Sequence, residues 1–130
     1  MDLVQPPGWK RPSGYSNGVV ASGKMCFIAG QIGWNPQTGT FDSDDFVAQF
    51  DRAMQNVLQV LRAAGGQPHH MARLTIYVTD KKKYLASLQH VGAAYRRHLG
   101  NHYPAMALVQ VAALVEDRAQ VEIEGTAVIG

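Results

Sequence analysis

The 130 residues are 46% hydrophobic and carry 12 Lys and Arg against 10 Asp and Glu, a formal charge of +2. A chain of this size suits one globular domain over residues 1–130, and the charge is too small to build the clustered basic face that nucleic-acid or membrane binding needs. The lone cysteine, Cys26, excludes an internal disulfide and suits a reducing, cytoplasmic compartment; no basic-then-apolar leader opens the chain and no run of apolar residues approaches a membrane span.

Residues 1–13, with Pro6, Pro7, Gly8 and Pro12, read as an irregular arm. Gly18-Val19-Val20-Ala21 and Lys24-Met25-Cys26-Phe27-Ile28-Ala29-Gly30 flank Ser22-Gly23, which predicts a hairpin with that dipeptide at its tip; Asn35-Pro36-Gln37-Thr38-Gly39 is a further turn. Ser43 is placed to cap a helix whose positive end suits Asp44 and Asp45. Phe46, Phe50, Ala53, Met54, Val57, Leu58, Leu61 and Ala64 then recur at helical spacing until Gly65-Gly66 stops the run. Arg73–Thr79 alternates and is rich in β-branched residues, the pattern of a strand.

Asp80 predicts the cap of a second helix, with Tyr84, Leu85, Leu88, Val91, Tyr95 and Leu99 turned inward and Gly100 at its end. Gly92, in mid-helix, costs about 1 kcal/mol relative to alanine and marks a place where something approaches closely. Lys81-Lys82-Lys83 and Arg96-Arg97 read first as solvated charge. His98 and His102 are four apart, but Gly100 ends the helix between them and no third ligand is near in sequence, so no metal site is predicted.

The stretch from Pro104 to Leu114 is apolar on both faces of a strand: Ala105, Ala107, Val109, Val111 and Ala113 on one, Met106, Leu108, Ala112 and Leu114 on the other, broken only by Gln110. Gln120–Val128 alternates again. The order is ββαβαββ, an α+β chain whose two helices cover one face of a five- or six-stranded sheet. The other apolar face needs a second protein surface, and a closed ring of copies supplies it, with clefts where neighbouring sheets meet. The alternative is a monomer with the N-terminal arm folded across that face.

Gly14-Tyr15-Ser16-Asn17-Gly18, Ala29-Gly30-Gln31-Ile32-Gly33, Asn35-Pro36, Asn56-Val57, Ala63-Ala64-Gly65, Tyr103-Pro104-Ala105 and Val121-Glu122-Ile123-Glu124 together resemble the RidA/YjgF family, long labelled endoribonuclease L-PSP. The resemblance runs from about Tyr15 to Val128. It implies a chorismate-mutase-like fold, a homotrimer, three small-molecule clefts between subunits, and hydrolysis of enamines or imines to keto acids and ammonia with no metal or organic cofactor. It implies Glu122 and Tyr15 as the catalytic pair, with Gly30, Gln31, Gly92, Met106 and Leu108 lining the cleft.

The family's deaminases carry an arginine where this chain has Met106, and a guanidinium holds a carboxylate through two parallel charge-assisted bonds that a thioether cannot make. Leu108 stands where a cysteine is common and Gly92 where an asparagine is frequent. The chain thus resembles the arginine-less subgroup. Three functions follow as expectations: an imine or enamine hydrolase whose substrate is not a simple 2-imino acid, a trimeric metabolite-binding protein without chemistry, and, on the inherited label alone, an endoribonuclease for which the weak basic footprint gives little support.

Overall fold

The computed structural model describes residues 1–130. The strands are β1 (Asp2–Val4), β2 (Gly18–Val20), β3 (Lys24–Ile32), β4 (Met71–Val78), β5 (Ala105–Gln110) and β6 (Val121–Ile129); the helices are α1 (Phe46–Ala63), α2 (Lys81–Ala86) and α3 (Leu88–Leu99), with a 3-10 turn at Pro68–His70. The main sheet has four strands in the order β3-β6-β4-β5, with β4 and β5 parallel and the other pairs antiparallel. This is the mixed α+β arrangement that the sequence predicts, with fewer strands in the sheet and one more helix.

The differences are local. The N-terminal arm carries β1, which pairs with β2, so the predicted β2–β3 hairpin does not form and β3 runs along β6 instead. Gly23 makes that departure possible: its φ is +145°, and a Cβ there would lie 2.4 Å from the Ile129 carbonyl oxygen. Asp45, not Ser43, caps α1 by accepting from the Ala48 amide at 2.9 Å, while Ser43 Oγ accepts from the Asp45 amide. The second helix is broken at Ser87 into α2 and α3, which leaves Leu85 and Leu88 more than half exposed rather than inward. The strand expected through Leu114 ends at Gln110, whose side chain accepts from the Lys81 amide at 2.8 Å and helps to cap α2.

The core lies between the helices and one sheet face. Phe50, Met54, Leu58 and Leu61 of α1 are completely or almost completely buried against Leu74, Ile76, Val121 and Ile123 of the sheet. Each large side chain taken from water there contributes about 1.5–3 kcal/mol. Two buried amides of α1 fix where the strands end. Asn56 Nδ2 donates to the Ile32 and Trp34 carbonyls at 3.1 and 2.9 Å, holding the exit of β3. Gln49 donates to Arg118 O at 3.1 Å and accepts from the Gln120 amide at 2.9 Å, holding the entry to β6. No helix covers the opposite face, and on it Met25, Phe27 and Val109 are 59%, 74% and 44% exposed.

Candidate functional site

The residues expected in one cleft fall into two groups. Gly30, Gln31 and Glu122 meet where β3 crosses β6. A bulge between Ile28 and Gln31 leaves Gly30 outside the regular ladder, and the Glu122 side chain rests on it: a Cβ at residue 30 would lie 2.5 Å from Glu122 Oε2. Glu122 is half-buried and pairs in register with Tyr77, on the face away from the core. Its carboxylate has no ion-pair or side-chain hydrogen-bond partner, whereas Glu124, two residues on, accepts from the Tyr77 hydroxyl at 2.6 Å. That hydrogen bond, with lesser contributions from desolvation and from the charges of Glu124 and Glu122, holds the Tyr77 phenol above its ordinary pKa. Gln31 turns back to donate to its neighbour's carbonyl, Ala29 O, at 3.2 Å.

Tyr15, Gly92, Met106 and Leu108 border a cavity of about 570 Å³ between β5 and α3. Met106 pairs in register with the buried Leu74 and so faces the helices. Tyr15 arrives from the N-terminal segment because Ser16 is stitched to the start of β5: its amide donates to Pro104 O at 3.0 Å and its hydroxyl to Tyr103 O at 2.5 Å. The floor is aromatic, with Tyr95 and Tyr103 stacked at 5.2 Å and 3°. Tyr95 donates to His102 O at 2.7 Å, and burial, aided by Tyr103, pushes its phenol pKa well up.

Within one chain, then, the two groups lie on opposite faces of the sheet, with β4 between β6 and β5. Tyr95 is turned inward as the sequence predicts, but sequence reading did not place Tyr95, Tyr103 or Arg96 at the cavity they line; for Arg96 the spacing of four from Gly92 was the available signal. The histidines are engaged separately, His98 Nε2 with Asp51 at 2.8 Å and His102 Nε2, as donor, with Met71 O at 2.6 Å.

Helix-backed sheet, apolar edge cavity and an unpaired strand carboxylate define a small α+β protein of the RidA/YjgF class. The family model described as Endoribonuclease L-PSP matches residues 9–129, and the chain belongs to that family. Protein DfrA of Myxococcus xanthus is 41% identical over 115 residues, covering 88% of this chain and 84% of that one. The human 2-iminobutanoate/2-iminopropanoate deaminase is 29% identical over 130 residues, covering 100% and 89%. Among solved structures, the Rid family protein YyfB of Yersinia pestis superposes with a TM-score of 0.86 at 30% identity, over 98% of both chains. E. coli TdcF, solved with bound serine, gives a TM-score of 0.71 at 31% identity over 100% of both. No helix of this protein is long and apolar enough to cross a membrane.

Proposed function

We propose that the protein hydrolyses enamines or imines in clefts between copies of the chain in a homotrimer, on a substrate other than the simple 2-imino acids. The observation that carries this reading is the uncommitted Glu122 carboxylate seated on Gly30. A carboxylate with no cation or donor of its own is free to take a proton from water as the water oxygen bonds to the imine carbon. Glu122 returns that proton to nitrogen to give a carbinolamine; the hydroxyl proton of the carbinolamine then passes to nitrogen as the C–N bond breaks, and a carbonyl compound and ammonia leave with no change in electron count. The relatives named as iminobutanoate and iminopropanoate deaminases support the reaction class.

The bare sheet face supports the assembly. Phe27 and Met25 expose apolar surface that a second copy would cover, and packing between copies is the way Glu122 of one can meet Tyr15 and Met106 of another. Met106 argues for the altered substrate, because the cleft lacks the fork that would grip a carboxylate beside the reacting carbon.

The test is ammonia release from imines generated in place by an amino-acid oxidase, with sedimentation velocity run on the same sample. Turnover lost in Glu122→Gln, from a species of three chains, is expected. No turnover above buffer on any imine leaves the second reading, a trimeric binding protein, which Met106 favours and which a ligand bound but unchanged would support.

A further inference from the structure

The cavity between β5 and α3 has 14 lining residues, 10 of them hydrophobic, and Arg96 is the one formally charged side chain among them; no carboxylate lines it. Arg97 is paired with Asp51 at 3.0 Å, Arg118 with Asp44 at 2.9 Å and Arg52 with Asp42 at 4.0 Å; of the four arginines without a carboxylate partner, Arg11, Arg62, Arg73 and Arg96, Arg96 alone lines this cavity. Arg96 has no carboxylate within ion-pair distance and no side-chain hydrogen-bond partner. Its guanidinium lies over the bare backbone of Gly92, with Nη1 3.2 Å and both Cζ and Nη2 3.9 Å from where a Cβ would sit. Residues four apart share a helix face, so a side chain at 92 would compete with the guanidinium for that place. Gly92, costly in mid-helix, thereby accounts for where the charge lies.

We infer that Arg96 is the anion anchor of this cavity, and that the ligand it takes is a carboxylate carrying an apolar or aromatic body. A guanidinium is the side chain best built to grip a carboxylate through two bonds. An anchor on α3 holds the charged end at the helix rim and lays the rest across Met106, Leu108 and the stacked tyrosines. A small 2-imino acid has nothing to place there, whereas a phenyl-sized group buries its apolar surface against them. This rests on reading the cavity as the substrate half of the proposed site, and it supplies the cation that position 106 lacks.

The experiment is titration of the full-length protein, followed by NMR, with phenylacetate, its neutral isostere phenylacetamide, and acetate. Phenylacetate is expected to bind roughly tenfold or more tightly than the other two, one charged-group hydrogen bond being of that size. Arg96→Gln should bring phenylacetate to the level of the amide and leave the amide unchanged. Arg96→Lys should recover part of the loss. Gly92→Ala, with Arg96 intact, should weaken phenylacetate alone by crowding the guanidinium. Thermal melts of each variant separate a lost anchor from a lost fold. Equal affinity for phenylacetate in the parent and Arg96→Gln, equal affinity of the parent for acid and amide, or no binding of phenylacetate at all overturns the inference. Arg96-dependent binding in a protein that turns over no imine keeps the anchor and removes the hydrolase; imine turnover with Arg96-independent binding does the reverse.

Discussion

The β3–β6 corner and the β5–α3 cavity are built from different materials. The corner is backbone geometry: a bulge, a glycine pressed on Glu122, and two buried amides of α1 that pin the strand ends. The cavity is side-chain chemistry, made of tyrosines, Met106, Leu108 and one guanidinium. The first keeps the residues the family resemblance implies, Gly30, Gln31 and Glu122, while the second departs from it at Gly92, Met106 and Leu108. On the proposed function, such a division would keep a reaction fixed while its substrate changes, because water activation would depend on where one carboxylate sits and selection on what the opposite wall offers.

Removing the corner's carboxylate should have the largest effect. Glu122→Gln preserves shape and should lower imine turnover by roughly 10²–10⁴-fold, the usual worth of a positioned acid–base group, with little change in melting temperature. Turnover unchanged in that variant would move the chemistry out of the corner altogether. Met106→Arg acts on the other region. Restoring a bidentate partner should improve binding of simple 2-imino acids by about 2–5 kcal/mol, seen as deamination that the parent lacks. An inert but correctly assembled variant would show that Gly92 and Leu108 matter as much as the missing guanidinium.

Two glycines of the corner separate positioning from folding. At Gly30 a methyl group would meet the movable Glu122 carboxylate, so Gly30→Ala should fold nearly as well as the parent and lose about 10- to 100-fold in turnover. At Gly33 it would meet fixed backbone, 2.5 Å from Gln49 O and 2.6 Å from Gln49 Cα. Gly33→Ala should therefore lower stability by about 1–3 kcal/mol in urea denaturation. The opposite ranking would mean that Glu122 is held by something other than its seat on Gly30.

The sequence carried most of the architecture because the patterns that set it are periodic. The stripe from Phe46 to Leu61 and the alternation of Arg73–Val78 and Val121–Val128 have one good solution each. What was illegible depended on competition between distant partners. Nothing local says that β1 will take the edge of β2, or that Gln110 will serve as a cap for α2. Arg96 and Arg97 are both exposed, as solvated charge should be; what the pair alone does not reveal is that Arg96, and not Arg97, lies over the bare Gly92 at the edge of the cavity. The opposite placement of Met106 and Glu122 was legible in part, since alternation fixes each residue's face, but which face met the helices required the register.

The smallest expected effect tests the floor of the cavity. Tyr95→Phe keeps the stack on Tyr103 and removes the donor to His102 O, which should lower stability by about 1 kcal/mol near neutral pH. The effect fades with alkali. Folded Tyr95 holds its proton to higher pH than the ordinary tyrosine value of 10.0, so the unfolded chain ionises first. The parent's contribution from this group is complete below pH about 10 and is lost as the pH rises further. Tyr77 titrates in the same direction in both proteins and cancels in the comparison. Urea denaturation of parent and variant at pH about 8 and about 11 should thus show the parent's advantage shrinking; a constant gap would mean that Tyr95 ionises as easily folded as unfolded, and that the cavity floor is wetter than its burial implies.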